Sequence, residues 1–336
     1  MISIETYPTE YEFLPIELLV FFSETNNGTG GKRKTRTVFE FCEYYKEKYK
    51  TKELPQPRIV STICDKLVEK DKMSVFNKGG FDNLENSYLC ILKDKSFINK
   101  PILFNLRNKQ LSCEIYGFKY IYDYYQKYVL PILHIDKEND MSIGSSILFK
   151  GGILTAKHCI ENAEKIAIQT INPEHLKNAK YYTFNKESMD LIFIKLPNDI
   201  PDSIYFSEDA CLLEEVIALG YPKVPGFHNF LTAEKALVSS RFTATKGSVT
   251  AVAEDIWIRE KLILITAKIQ GGNSGGPIIN NNGKVVGIAS SLATGEGKYD
   301  DLGYGTVIPI KFGNEIIENM EKEFDTAKIE FIEFIE

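Results

Sequence analysis

The chain has 336 residues, 43% of them hydrophobic and 26% charged, with a formal net charge of −6. This composition is typical of a globular protein of about two domains, and the net negative charge argues against a general polyanion binder. No apolar run reaches the roughly 18 residues of a transmembrane helix, and residues 1–12 lack the basic start of a secretory signal, so neither a membrane span nor a leader is predicted.

Residues 1–128 predict a mainly helical domain with sensing or regulatory potential. Helices followed by a glycine-tipped hairpin resemble a winged helix-turn-helix, although no specific motif of that fold is present. The predicted elements are helices over Tyr11–Phe22, Val38–Tyr49 and Ile59–Lys70, a hairpin of Met73–Phe76 with Tyr88–Leu92, and a connecting helix over Ile115–Tyr128.

The net charge of the N-terminal domain does not identify the kind of partner that it binds. Residues 1–128 contain 20 Lys and Arg against 17 Asp and Glu, a net of +3, while residues 129–336 contain 20 against 29, a net of −9. The one basic cluster, Gly31–Arg36, is interpreted as a solvated loop, with phosphate contact or a targeting patch as the alternative. Nucleic-acid binding stays uncertain, and docking of an activating protein partner fits at least as well.

Residues 129–336 predict a second, all-β domain. From Val129 onward, short apolar runs alternate with polar and glycine turns, which is typical of β-barrels. A closing helix is expected over Asn314–Phe324. The chain as a whole is therefore predicted to be α+β.

A serine surrounded by glycines marks the stretch Gly271–Pro277. Glycines permit a sharp turn that aims two backbone amides at one point, as stabilisation of an oxyanion requires. The stretch therefore indicates that Ser274 is an exposed nucleophile. Taken alone, it fits a plain hairpin loop equally well.

Two further segments favour the catalytic interpretation. His158 follows a short apolar strand in Gly151–Cys159, and Asp190 opens another strand in Ser188–Leu196. The three segments, in this order, resemble the trypsin-like (chymotrypsin-fold) serine protease family, and Asn273 before the serine is similar to the HtrA-type branch. The resemblance implies a double six-stranded β-barrel over residues 129–336.

The resemblance also implies the role of each residue. Ser274 would attack the substrate carbonyl, His158 would accept and return its proton, and Asp190 would orient the imidazole. The amides of Gly272 and Ser274 would form the oxyanion hole, and the reaction needs no metal or cofactor. Lys157 stands where the family usually has a small residue, and a position near Asp190 would let it compete for that carboxylate.

The substrate pocket is assigned by the same resemblance. Ser290 lies beside the triad, Ser291 and Leu292 line the entrance, Gly303 belongs to the far wall, and Lys268 stands at the floor. An inward ammonium of Lys268 would favour an acidic side chain before the cut, whereas an outward one would leave a shallow pocket for small or medium apolar residues. The outward orientation is favoured, and cleavage after Lys or Arg is not expected.

The cysteines predict a cytoplasmic location. Ile143 stands where secreted members of the family have the cysteine that bridges to the one after the catalytic histidine, so Cys159 lacks this partner. The other five cysteines are scattered, which indicates reduced core residues.

The sequence thus predicts an intracellular serine endopeptidase that hydrolyses protein or peptide substrates under the control of its N-terminal domain. The alternative is a protease-fold binding or nucleic-acid-sensing protein with little or no peptidase activity.

Overall fold

The computed structural model divides into two compact units, residues 1–121 and 122–336. The division lies inside the predicted connecting helix rather than after residue 128. The N-terminal ten residues, Ser291 and Leu292 lie outside the described residues, as do Gly31, Lys32 and Thr35 of the basic cluster. Within the described residues, no helix is long and apolar enough to cross a membrane. The described residues are 11–23, 26–27, 33–34, 36–79, 83–186, 188–198, 200, 202–223, 229–233, 236–255, 259–290, 293–294, 297–298 and 303–334.

The described part of the first unit contains helices, a two-residue antiparallel pairing of Asn26–Asn27 with Arg33–Lys34, and a longer antiparallel hairpin. The helix–helix–hairpin order agrees with the predicted elements, and the winged-helix interpretation of this order stays a prediction. The elements are α1 (Leu14–Phe21), α2 (Val38–Tyr49), α3 (Pro57–Glu69), β1 (Met73–Asn77), β2 (Ser87–Cys90), a 3-10 turn (Ser96–Asn99) and α4 (Pro101–Tyr116).

Local interactions explain where two of these helices begin and end. Thr37 and Glu40 form a capping box at the start of α2, with the Glu40 amide 3.2 Å from Thr37 Oγ1 and the Thr37 amide 2.8 Å from Glu40 Oε2. Gly117 has a φ of +77°, which ends α4 at Tyr116. The single helix predicted over Ile115–Tyr128 is therefore wrong, and the chain continues as a separate helix, α5 (Phe118–Tyr125).

A buried carboxylate lies in the core of the first unit. Glu17 of α1 is fully buried, and it accepts hydrogen bonds from Tyr44 Oη at 2.8 Å, Lys48 Nζ at 2.7 Å and Tyr49 Oη at 2.7 Å. All three donors belong to α2. The carboxylate therefore fixes how α1 and α2 pack together.

The second unit contains an open sheet and a closed barrel. The labelled strands and helices are β3 (Val129–Ile135), β4 (Met141–Phe149), β5 (Gly152–Thr155), β6 (Lys165–Ile168), α6 (Pro173–Lys177), β7 (Lys180–Thr183), β8 (Ile192–Lys195), β9 (Glu215–Gly220), β10 (Asn229–Ala233), β11 (Ala236–Ser240), β12 (Thr243–Glu254), β13 (Lys261–Ile265), β14 (Pro277–Asn280), β15 (Val285–Ala289), β16 (Gly305–Pro309), α7 (Ile310–Asn319), β17 (Lys322–Glu323) and β18 (Glu330–Phe331). In the sheet, eight strands are ordered β17-β7-β8-β5-β4-β3-β6-β18, and the six barrel strands are ordered β9-β12-β13-β16-β15-β14.

The α+β class is confirmed, and the structure adds two details. Only the second set of strands closes into a barrel, because the tail strands β17 and β18 pair at the two edges of the first sheet. The helix expected over Asn314–Phe324 is displaced. It is α7, and it ends where Met320 takes a left-handed conformation at a φ of 49° so that the chain can return to the sheet.

Candidate active site

The first sheet brings His158 and Asp190 into direct contact. His158 lies in a single 3-10 turn (Lys157–Cys159) directly after β5, and Asp190 lies just before β8, which pairs with β5. The ring Nδ1 of His158 is 2.7 Å from Asp190 Oδ2, and its backbone amide donates to Asp190 Oδ1 at 2.9 Å. Both oxygens of the Asp190 carboxylate thus bond to His158, and this fixes the orientation of the imidazole.

A third residue supports this pair from the barrel. Ser290 follows β15, is almost fully buried and donates from Oγ to Asp190 Oδ2 at 2.6 Å. Asp190 therefore receives hydrogen bonds from both halves of the unit. With Nδ1 held by the carboxylate, the other ring nitrogen, Nε2, can accept a proton from a nucleophile.

Lys157 forms an ion pair with a carboxylate other than Asp190. Its ammonium lies 3.2 Å from Glu161 Oε1, one helical turn further along the chain. This ion pair argues against the competition for Asp190 considered from the sequence.

A tight turn precedes Ser274. The Asn273 amide donates to the Gln270 carbonyl at 2.9 Å, and Gly272 has a φ of +103°, as the third residue of a type II turn requires. The hydrogen bond that closes the turn uses the Asn273 amide. The Gly272 amide belongs instead to the peptide bond between the two central residues of the turn. The turn thus leaves Gly272 N–H available beside Ser274 for an oxyanion.

The segment after the turn packs against the strand that leads to His158. A Cβ on Gly275 would lie 2.0 Å from the carbonyl of Ser145 and 2.9 Å from the Ala156 amide, so only glycine fits. The carbonyl of Ser274 accepts from the Ser145 amide at 2.8 Å. The nucleophile and histidine segments are therefore in direct contact.

Ser145 is a supporting residue that the motifs did not identify. Its fully buried hydroxyl donates to the Gly272 carbonyl at 2.7 Å and accepts from the Tyr221 amide at 2.9 Å. It lies two residues after Ile143, the position compared with the family's cysteine, but nothing in the sequence marks a buried serine as the anchor of a distant turn.

Ser274 is buried rather than exposed. Only 4% of the residue is accessible, whereas 43% of the His158 side chain is. The expectation of an exposed nucleophile is wrong, because the close glycine contacts draw the serine into the wall of the site. A substrate would reach it from the side on which His158 is open.

The environment of His158 favours its protonated form. Burial opposes a charged imidazole, but the hydrogen bond to Asp190, the neighbouring Cys159 thiol and the negative charge of Asp190 outweigh it and raise the pKa of His158. Nearby His134, whose Nδ1 lies 3.3 Å from the Cys159 carbonyl, has its pKa lowered mainly by burial.

A cavity contains two of the predicted pocket residues. Lys268 and Gly303 line a space of about 490 Å³ beside Gln270 and Gly271. Ser290 is not among its lining residues and instead contacts Asp190.

The chain is similar to known proteases in this region. Residues 144–288 match the family model described as a trypsin-like peptidase domain. A probable periplasmic serine endoprotease, DegP-like, of Rickettsia conorii is 30% identical over 209 residues, which cover 60% of this chain and 39% of that protein. A DegP-like protein of Rickettsia prowazekii is 32% identical over 191 residues, which cover 56% and 34%. The Rv3671c protease of M. tuberculosis in its active form matches with a TM-score of 0.46 and 18% identity, covering 62% of this chain and 87% of that one.

These curated relatives also correct the predicted location. The chain spans 39% and 34% of their lengths, and both are named periplasmic, which contradicts the cytoplasmic location inferred from the cysteines. All six cysteines are free thiols. Burial raises the pKa of Cys42 to about 12 and also raises the pKa values of Cys64 and Cys113. Buried thiols that hardly ionise resist oxidation in any compartment, so free thiols at these three positions do not indicate a location.

Proposed function

We propose that this chain, which carries a trypsin-like peptidase domain, is a serine endopeptidase that acts through Ser274, His158 and Asp190. The observation that carries the proposal is the His158–Asp190 contact of 2.7 Å, combined with a type II turn that leaves an amide available beside Ser274. A general base oriented by a carboxylate and a fixed donor for an oxyanion are what acyl transfer from a peptide requires.

The proposed reaction forms and breaks one acyl-enzyme. Ser274 Oγ attacks the scissile carbonyl carbon while its proton passes to His158 Nε2, and the oxyanion binds the amides of Gly272 and Ser274. The C–N bond then breaks as the imidazolium gives that proton to the leaving amine. In the second half, His158 takes a proton from water, the hydroxide oxygen attacks the ester, and the carboxylic acid leaves as Ser274 regains its proton.

Labelling with a fluorophosphonate tests this proposal. The wild type should form an adduct at Ser274, and Ser274→Ala should form none while keeping its melting temperature. Peptide hydrolysis by Ser274→Ala should fall by about 10⁶, and adding His158→Ala should lower it little further, because the triad acts as one unit. Lack of labelling in the folded wild type would favour the alternative of a binding protein without peptidase activity.

We also propose that the N-terminal domain, or a partner bound to it, controls this site through α5. Tyr122, in the middle of α5, lies within the second unit and contacts Phe242 with ring centroids 4.9 Å apart, and Phe242 contacts Tyr221 at 5.5 Å. The Tyr221 amide bonds to Ser145 Oγ, which in turn holds the Gly272 carbonyl. A continuous chain of contacts therefore leads from the connecting helix to the turn before Ser274.

A double-mutant cycle tests this control. Tyr122→Leu and Phe242→Leu should each lower kcat severalfold, and the double mutant should be less than additive. Tyr124→Leu is the matched control, because Tyr124 lies on the same helix but contacts Tyr125 and Tyr128 instead. Equal effects of Tyr124→Leu and Tyr122→Leu on kcat would contradict a specific route.

The relatives' names favour periplasmic protein substrates. Fractionation of cells that express the tagged full-length protein tests this, and recovery in the cytoplasm alone would contradict it.

A further inference from the structure

The cavity beside the nucleophile has a lysine in its lining. The lining residues include Thr266, Lys268, Gln270 and Tyr304, and Lys268 is the only charged one among the described residues that line it. Within the described parts of the chain, the Lys268 ammonium has no ion-pair partner. Nearby lysines differ in this respect, since Lys186 pairs with Glu260 and Lys246 with Glu215.

The position of the cavity relates it to the substrate. Gln270 and Gly271 line it and also form the first half of the turn that carries Gly272. A carbonyl oxygen bound at the Gly272 amide brings the side chain of its own residue close to these two positions. The cavity is therefore suited to the side chain on the acyl side of the scissile bond.

The burial of its two neighbours indicates on which side of the backbone the Lys268 side chain lies. Its neighbours Ala267 and Ile269 are buried in the barrel core, whereas Lys268 itself is exposed. Its carbonyl accepts a hydrogen bond from Thr245 Oγ1 at 2.7 Å. Lys268 is therefore turned away from the core that holds its two neighbours, and it belongs to the lining of the cavity.

We propose that Lys268 makes this site selective for an acidic residue, Asp or Glu, immediately before the cut. This inference rests on the proposed peptidase function and specifies its substrate class. An acidic side chain would pair with the ammonium, and the hydroxyls of Thr266 and Tyr304 and the amide of Gln270 can donate to its second oxygen. Lys or Arg in the same place would meet a like charge, and an apolar side chain would cover a charged group without pairing it.

Peptide phosphonates that differ only in the side chain before the reactive phosphorus test the proposal. Probes with Asp, Asn, Val and Lys side chains report selectivity as rates of Ser274 modification. A simple alkyl fluorophosphonate, which places no side chain in the cavity, reports the triad alone. The proteins are the wild type, Lys268→Met, the charge reversal Lys268→Glu, and Lys261→Met as the control for an exposed lysine on β13 outside the cavity lining.

The expected result is an Asp-over-Asn preference of about tenfold to a hundredfold in the wild type and in Lys261→Met. Lys268→Met should abolish it, and Lys268→Glu should favour the Lys probe. Two results together would overturn the acidic selectivity and leave the proposed peptidase function intact. These are equal fluorophosphonate labelling of all four proteins and a preference for the Val probe that Lys268→Met does not change. Loss of fluorophosphonate labelling in the wild type would instead refute the proposed function and this inference with it.

Discussion

Replacing Ser145 by alanine tests whether the first sheet holds the turn before Ser274. The Ser145 hydroxyl donates to the Gly272 carbonyl at 2.7 Å and accepts from the Tyr221 amide at 2.9 Å. Alanine leaves both backbone groups without this partner, in a place where Gly272 is buried. Each orphaned group costs about 1–3 kcal/mol, so the free energy of unfolding should fall by about 2–5 kcal/mol.

Activity should fall more than stability alone explains, because the turn carries an oxyanion donor. Loss of one such donor lowers kcat by about 10² to 10³, and a loosened donor should cost part of that, about tenfold to a hundredfold, with KM little changed. Urea unfolding and peptide hydrolysis measure the two effects under conditions where the variant is folded.

Ser146→Ala is the matched control for Ser145→Ala. Ser146 is the next residue of β4, is equally buried, and its hydroxyl donates to the Leu130 carbonyl at 3.1 Å, away from the turn. Its replacement should cost about 1 kcal/mol of stability and leave kcat within about twofold. Wild-type kcat in folded Ser145→Ala, or an equal loss in Ser146→Ala, would refute the reasoning.

Substitutions at three further positions test the site and the first unit. Because the pKa of His158 is raised, kcat/KM should rise with pH with a midpoint above about 6.5. Asp190→Asn should lower this midpoint, and it should lower the rate by about 10⁴. A midpoint that Asp190→Asn does not move would contradict Asp190 as the cause of the raised pKa. Glu17→Leu should lower the stability of the first unit by about 2–4 kcal/mol in chemical unfolding. Glu17→Gln should lower it by less, since its amide oxygen keeps an acceptor for one of the two tyrosines, Tyr44 or Tyr49. Asn273 is 2% exposed and its Oδ1 accepts no hydrogen bond from the described residues, so Asn273→Asp should bury a carboxylate with a raised pKa. The melting temperature of this variant should fall further below that of the wild type at pH 8 than at pH 5. An equal fall at both pH values would argue against charge as the cause.

Local signals made several parts of the fold predictable. The helix over Val38–Tyr49 has the predicted bounds, because a capping box defines its start. The contact between His158 and Asp190 could be anticipated only because each residue stands at a strand boundary, and strand pairing brings such boundaries together.

Other features depend on contacts between distant segments, which no local pattern reports. The burial of Ser274 results from packing of its loop against Ser145 and Thr155, more than a hundred residues earlier. The helix α4 escaped prediction because its apolar residues do not form one face; Ile102 is 75% exposed. Whether Lys268 pairs with a carboxylate likewise depends on which side chains the fold brings near it.

The last residues of the chain contribute to the site although they lie far from it in sequence. The tail strand β17 pairs with β7, the neighbour of the strand that follows Asp190, and β18 pairs with β6 at the opposite edge of the same sheet. Tyr181 stacks on Phe331 at 6.0 Å, and the Phe324 amide donates to the Tyr181 carbonyl at 2.7 Å, so the tail is held at both edges. The sheet that orients His158 and Asp190 therefore takes its two edge strands from residues that follow the barrel strands in sequence. This interleaving explains why each half of the site has a readable motif, whereas the scaffold that joins the halves has none.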